Sequence, residues 1–278
     1  MATPAVDRAQ LARQAVGHGQ RAGIGLSVNI DPKRWCEGRV HALRQWTDKL
    51  YSIQVEADVD VFTAGQFTKL GRVIGDEFIS RPYSYVNAPG ETPCEFYFVT
   101  VPDGPLTNAM VRLQAGDPIQ VMRRASGFLT LNEVPAAPHL WMLSTGTAIG
   151  PFLSILKTPE PWQRFQRIVL VHAVRLAEEL SFAETIAMLR DAHPDCFDFI
   201  PFVSREDASF AIRARVPAAI SDGRLEQRAG LRISAETSQV MICGNPDMVK
   251  STQSALQARG LERNRRRTPG HITVENYW

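Results

Sequence analysis

The sequence predicts two folding classes in series: an antiparallel β-barrel, followed by an α/β unit built on a parallel sheet. Three observations carry this. From about Trp35 to Glu133, short strand-like runs are punctuated by frequent turn signals, the grammar of an antiparallel barrel or sandwich. After "EVPAAP", four short apolar runs alternate with stretches of helical spacing, as buried parallel strands and crossover helices do. The chain has 278 residues, long for one domain and comfortable for two. The expected division is an extension over 1–34, a barrel over 35–135 and an α/β unit over 136–278.

Taken in order, residues 1–34 come first. "MATPAVDRAQLARQAVGHGQRAGIG" carries three Arg against one acid, Asp7, and has no apolar core. That excludes a secretory signal, and a surface extension is its plain reading. In the next segment "YSIQV" places Tyr51, Ile53 and Val55 on one face, and "EFYFVTV" and "PIQVM" alternate or run apolar. Turns are marked at Ala64-Gly65, Gly75-Asp76, Asn87 to Gly90, Pro102 to Gly104 and Ala115 to Asp117. The later strands are "LWMLS", "RIVLVHAV", "FDFIPFV" and "QVMIC", with helices expected in "SFAETIAMLRDAH" and "PDMVKSTQSALQARG".

Composition narrows the class. Apolar residues make up 44% and charged residues 22%, and 31 basic against 29 acidic residues leave a net charge of +2. A general nucleic-acid binder is not expected at that balance. No apolar run approaches the roughly 20 residues that span a bilayer. Cys36, Cys94, Cys196 and Cys243 are scattered, without the spacing of a zinc site or iron–sulfur cluster. A reducing compartment, the cytoplasm, is the expectation.

Four stretches carry chemistry. In "LWMLSTGTAIGPFLSIL", Gly146 and Gly150 allow a ligand near the backbone, and Pro151 suits the first turn of a helix whose free N–H groups attract an anion. A tight βα turn explains the stretch equally well. "CGNPDMVK" repeats the logic at the last strand, with Cys243 and Gly244 ending it and Pro246 opening a helix. Two such turns on one sheet edge favour a dinucleotide crevice. Arg175, Arg205, Arg213 and Arg215 follow strand ends, and arginine accommodates the 2′-phosphate of NADP where an acid would select NAD. Glu206, beside Arg205, opposes that choice. In "RPYSYVN", Arg81 has the chemistry to clamp a diphosphate, Tyr83 to stack on a planar ring and Ser84 to hydrogen-bond it. A half-exposed strand is the better account of that stretch read alone.

Taken together and in order, "FTAGQFTKLG", "RPYSYVN", "EFYFVTVPDG", "LWMLSTGTAIGPFLSIL", "LVHAVR", "VSRE", "CGNPDMV" and "ENYW" resemble the bacterial kind of ferredoxin/flavodoxin–NADP reductases. The likeness runs from about Gly38 to Trp278. It implies an FAD-binding β-barrel and an NADP-binding α/β domain. By the resemblance, Arg81 and Pro82 hold the FAD pyrophosphate, Tyr83 packs on the isoalloxazine, and Ser84 lies near the flavin N5. Phe98, Val99 and Thr100 line the flavin through their backbone, Thr107 lies near the FAD phosphates, and Thr147 sits in the turn shared with nicotinamide. Arg175, Ser204, Arg205, Arg213 and Arg215 face the adenosine phosphate end of NADP, and Gly244, Asn245 and Pro246 the nicotinamide end, with Cys243 against the ring. The bulky "SFAIRARV" leaves open which arginine meets the 2′-phosphate. Trp278 is expected over the flavin as a gate that swings aside, with Tyr277 and Glu275 holding the tail near the adenosine or flavin edge. Ser84, Cys243 and Trp278 are therefore the residues at the reacting rings, positioning them without acting as nucleophiles.

The activity so implied is FAD-dependent electron transfer between NADPH and ferredoxin or flavodoxin, by hydride transfer to flavin N5 and one-electron steps to the carrier. The alternative is an NADPH-dependent flavin or ferric-chelate reductase with no protein carrier. "ARGLERNRRRTPG", with five Arg against one Glu, is a candidate docking patch for an acidic carrier, or a solvated helix end. A monomer is expected, with neither nucleic acid nor membrane as partner.

Overall fold

The computed structural model describes residues 29–265 and 267–277. Trp278, Arg266 and residues 1–28 lie outside the described residues, so the expected gate and most of the extension do too.

Strands β1 (Trp35–Gln45), β2 (Leu50–Glu56), β3 (Phe67–Ile74), β4 (Glu77–Ser84) and β5 (Cys94–Val99) are followed by helix α1 (Pro105–Met110) and strand β6 (Pro118–Met122). They form an antiparallel sheet in the order β4-β3-β6-β1-β2-β5. The sheet curls until its two end strands meet: Tyr85 bridges Phe96, and the Val86 N–H donates to Glu95 O at 2.9 Å. The period-2 pattern places Ile53 and Val55 inside with Leu70, Phe96 and Val121. Tyr51, on the same face, is half-buried and stacks on Phe98 with centroids 5.9 Å apart. Pro82 sits in the end strand β4, where a missing ladder N–H is tolerated.

The second sheet contains β7 (His139–Thr145), β8 (Arg167–Val174), β9 (Phe197–Val203), β10 (Ser238–Gly244) and β11 (Ile272–Asn276). The connecting helices are α2 (Gly150–Leu156), α3 (Glu160–Arg164), α4 (Ala183–Ala192), α5 (Val216–Ser221), α6 (Arg224–Ala229) and α7 (Pro246–Gln257). All pairings are parallel, in the order β11-β10-β7-β8-β9. The chain winds outward from β7 to β9, then returns to the other side of β7. The strand order therefore reverses between β7 and β10, the place where doubly wound sheets leave a crevice at their carboxyl ends.

Alternate residues of β7 serve the two faces. Leu140 and Met142 pack with Phe152 and Ile186, whereas Trp141 and Leu143 pack with Val216, Leu225 and Leu256. The first of these cores does not stop at the parallel sheet. It takes in Leu50, Val86, Tyr97 and Leu129 from the barrel side, beside Ile149 and Phe152. Polar groups cross the same boundary: Ser154 Oγ donates to Asn87 O at 2.8 Å, and Tyr97 and Ser181 share a hydrogen bond at 2.7 Å.

The basic run divides. Arg259 is half-buried and spent on structure, donating to Glu226 Oε1 at 2.7 Å and to Ile233 O at 3.2 Å. Arg263, Arg265 and Arg267 are exposed, in the loop that enters β11. They stand at the amino end of the parallel strands, about 16 Å of strand away from the carboxyl edge.

Candidate functional site

The carboxyl ends of β7, β8, β9 and β10 open on a cleft of about 550 Å³, closed on its far side by Leu50 and Val99 of the barrel. Its centre is the turn after β7. Thr145 ends the strand, Gly146 turns the chain at φ +55°, and a 3-10 turn over Gly146–Ile149 leads into α2 with Pro151 in its first turn. A Cβ at Gly146 would meet nothing within 4 Å, so the backbone there faces open space. Thr147 also lines the cleft.

The turn is held from beneath by a residue with no role expected from the sequence. His172 is fully buried on β8, and its Nε2 lies 3.0 Å from Gly146 O. A carbonyl only accepts, so Nε2 carries the proton. Burial pushes the imidazole down to about 4, which keeps it neutral at physiological pH. An isolated His in the apolar run "LVHAV" was the available signal.

On the other side of the switch point, Gly244 has φ +146°, and a Cβ on it would lie 2.0 Å from Thr145 Oγ1. The Asn245 N–H donates to that hydroxyl at 3.2 Å. The side chain of Asn245 then caps α7, accepting from the N–H groups of Asp247 at 3.0 Å and Met248 at 3.4 Å, with Pro246 in the first turn.

Arg175, Arg205 and Arg215 all line the cleft, as does Ser204. All three arginines are exposed, and none has a carboxylate partner among the described residues. Arg213 is not brought to the cleft; its Nη1 pairs with Asp207 at 2.6 Å. Glu206, which argued against phosphate binding, has its carboxylate bonded to the Ala177 N–H.

The barrel contributes the end of β4. Arg81 is exposed and donates to Ser80 O at 2.8 Å. The Tyr83 ring stands edge-on to Phe98 at 6.1 Å, and burial pushes its hydroxyl up to about 12. Ser84 is buried and accepts from Tyr277 Oη at 2.5 Å. Tyr277 continues β11, donating its N–H to Gly244 O at 2.9 Å. It thus links the ends of β4 and β10. Thr100 continues β5, its N–H donating to Lys49 O at 2.8 Å. Thr107 lies on α1, and its hydroxyl is used locally, accepting from the Val101 N–H at 3.2 Å and donating to Gly104 O at 3.3 Å.

Cys243 is fully buried, and burial together with the neighbouring Glu275 carboxylate holds its thiol well above the usual range. It is protonated at neutral pH and is no nucleophile. Glu275 pairs with Cys243 across β10 and β11, and burial pushes its carboxyl up to about 7. The folded chain thus holds this proton more tightly than the unfolded one. Stability linked to Glu275 is full below pH ~4.5 and is lost as pH rises through ~7. Glu275→Gln mimics the protonated form. Its melting temperature is expected to match wild type near pH ~5 and exceed it near pH ~8, as thermal melts across that range would read.

Among the described residues no group of three His, Cys, Asp or Glu is placed to hold a metal ion, and no helix is long and apolar enough to cross a membrane.

The family model described as the oxidoreductase NAD-binding domain matches residues 142–254. The flavodoxin/ferredoxin–NADP reductase of Escherichia coli (strain K12) is 48% identical over 245 residues, covering 88% of this chain and 99% of that protein. The flavodoxin/ferredoxin–NADP reductase of Buchnera aphidicola subsp. Baizongia pistaciae is 42% identical over 246 residues, with the same coverage. Among solved structures, a ferredoxin NADP+ reductase from Neisseria gonorrhoeae with bound FAD and NADP superposes with a TM-score of 0.84 at 35% identity, covering 88% of this chain and 99% of that one.

Proposed function

The chain belongs to the flavodoxin/ferredoxin–NADP reductases, and from that membership we propose how its cleft divides the work. It is an oxidoreductase that uses FAD to move electrons between NADPH and ferredoxin or flavodoxin. Residues 35–135 supply the flavin side and 136–278 the nicotinamide side.

The donor set fits both groups. Three exposed arginines without carboxylate partners converge on one cleft, and Gly146 leaves open space where a side chain would stand. On the barrel Arg81, exposed and without a carboxylate partner among the described residues, precedes Tyr83, whose ring stands edge-on to Phe98. When bound, FAD supplies the conversion of a two-electron hydride into single-electron steps.

Arg81 holds the FAD diphosphate, with Pro82 fixing the backbone beside it. Tyr83 packs on the flavin ring, and Phe98 to Thr100 line it by their backbone. Thr107 lies toward the diphosphate through the Val101–Gly104 turn that it braces. Thr147 and the Gly146 backbone bound the slot where nicotinamide meets flavin. Gly244, Asn245 and Pro246 form the opposite wall.

Ser84 and Cys243 orient the reacting rings. The Ser84 hydroxyl is anchored by Tyr277, and the neutral Cys243 thiol, buried in the cluster against which Tyr277 packs, meets the nicotinamide only when the end of the chain moves aside. Arg175, Arg205 and Arg215 take the adenosine phosphates, and Ser204 adds a hydroxyl beside them. Arg213 is bound to Asp207 and takes no phosphate. Trp278 closes the flavin face as a movable cover.

The carrying observation is the convergence of the β7 and β10 turns with three unpaired arginines at one switch point. The purified holoenzyme tests it: NADPH added anaerobically bleaches the flavin band, and added ferredoxin or flavodoxin restores it. Bleaching without restoration by either carrier overturns the carrier assignment.

A further inference from the structure

We propose that Glu206 is a positioning residue that sets the preference for a 2′-phosphorylated adenosine, although its charge is opposite to the one such a site needs. The inference rests on the assignment of Arg175 and Arg205 to the NADP phosphates.

The loops that carry these arginines follow two paired strands, and pairing continues beyond the strands themselves. The Ser204 N–H donates to Val174 O at 3.1 Å and the Arg205 N–H to Arg175 O at 2.9 Å. Ser204 Oγ also donates to Val174 O, at 3.2 Å. The next residue, Glu206, reaches back across the loop, and its Oε1 accepts the Ala177 N–H. From within the loop, Glu179 Oε2 accepts the N–H groups of Arg175 at 2.8 Å and Leu176 at 3.0 Å. Three successive backbone N–H groups, 175 to 177, thus end on carboxylate oxygens.

Two consequences follow for a dianion arriving at Arg175 and Arg205. First, Glu206 ties the arm bearing Arg205 to the arm bearing Arg175, so the spacing of the two backbone segments that carry the arginines is set before the ligand arrives. Preorganisation of this kind lowers the ordering cost of binding. Second, the bond holds the Glu206 carboxylate on the backbone, away from the open face of the cleft. An acid free to turn there would repel a 2′-phosphate and instead accept from a ribose 2′-hydroxyl, the arrangement that selects NAD. Occupying the acid is therefore part of the selectivity.

The donor and the acceptor of this bond can be removed separately. Glu206→Ala removes the acceptor and the charge together. Glu206→Gln keeps an acceptor oxygen and drops the charge. Ala177→Pro removes only the donor and frees the carboxylate. Proline suits that position: Ala177 opens a 3-10 turn, and Leu176 before it is extended at φ −121°, ψ 150°, as a residue preceding proline prefers.

The readout is calorimetric binding of adenosine 2′,5′-bisphosphate and of 5′-AMP to the holoenzyme. Glu206→Ala is expected to weaken the bisphosphate by about fivefold and Ala177→Pro by about tenfold or more, with 5′-AMP changed less than about twofold. Glu206→Gln should stay within about twofold of wild type for both probes. The KM ratio of NADPH to NADH should move in parallel. Equal weakening of both probes, or no weakening in either Glu206→Ala or Ala177→Pro, overturns the role given to Glu206. Arg205→Ala separates that failure from a deeper one. Bisphosphate binding lost in Arg205→Ala but intact in the Glu206 variants removes only this inference. Binding unaffected in Arg205→Ala removes the phosphate assignment itself.

Discussion

Gly244→Ala is expected to slow flavin reduction by NADPH about 100-fold and to lower stability by about 3 kcal/mol. The residue has φ +146°, and the added methyl would lie 2.0 Å from Thr145 Oγ1 and 3.2 Å from Thr145 N. The clash involves backbone as well as a hydroxyl that already accepts the Asn245 N–H. Relief therefore displaces the ends of β7 and β10 against each other, and in the division of the cleft proposed above these ends bound the nicotinamide slot. A displacement near 1 Å at reacting centres costs about two orders of magnitude in rate. Anaerobic stopped-flow reduction and a thermal melt would measure the two effects. A variant that melts lower yet reduces its flavin at the wild-type rate would show that the slot lies elsewhere.

Single replacement of Arg175, Arg205 or Arg215 by alanine is expected to raise the KM for NADPH about 10- to 100-fold, the worth of one charge-assisted hydrogen-bonded contact. The KM for NADH should hardly move. Arg213→Ala should behave as wild type toward both coenzymes, because its guanidinium is bound to Asp207 away from the cleft. Steady-state kinetics with both coenzymes decide the matter. An Arg213 effect equal to that of Arg215 would restore the ambiguity left by "SFAIRARV".

Those two expectations also mark where sequence reading succeeded and where it stopped. The four apolar runs became β7, β8, β9 and β10 because strands buried on both faces need continuous apolar residues. Pro151 and Pro246 stand in the first turns of α2 and α7 for the reason given by their fixed φ. Strand β11 is not legible in the sequence: its five residues end in the exposed Asn276, and only pairing with β10 makes it a strand. The short helices α5 and α6 lack the length for a periodic signal. The arginines were legible as residues but not as vectors. Whether Arg213 or Arg215 enters the cleft depends on Asp207 lying beside one of them, a fact of space. In the sequence Glu206 is an opposing charge for the same reason, since its bond to the Ala177 N–H joins residues 29 positions apart. The anchor of the Gly146 turn, His172, was hidden within an apolar strand.

The apolar cluster that runs from Leu50, Val86 and Tyr97 into Ile149 and Phe152 has a kinetic meaning. Halves joined through a shared dry interior do not swing apart cheaply, so this protein has little use for the hinge closure by which many two-lobed enzymes admit ligand. Coenzyme has to enter a slot whose walls stay put. What moves must be small, a side chain or a few terminal residues, and such parts rearrange in nanoseconds to microseconds. Motion on that scale is quick compared with typical enzyme turnover.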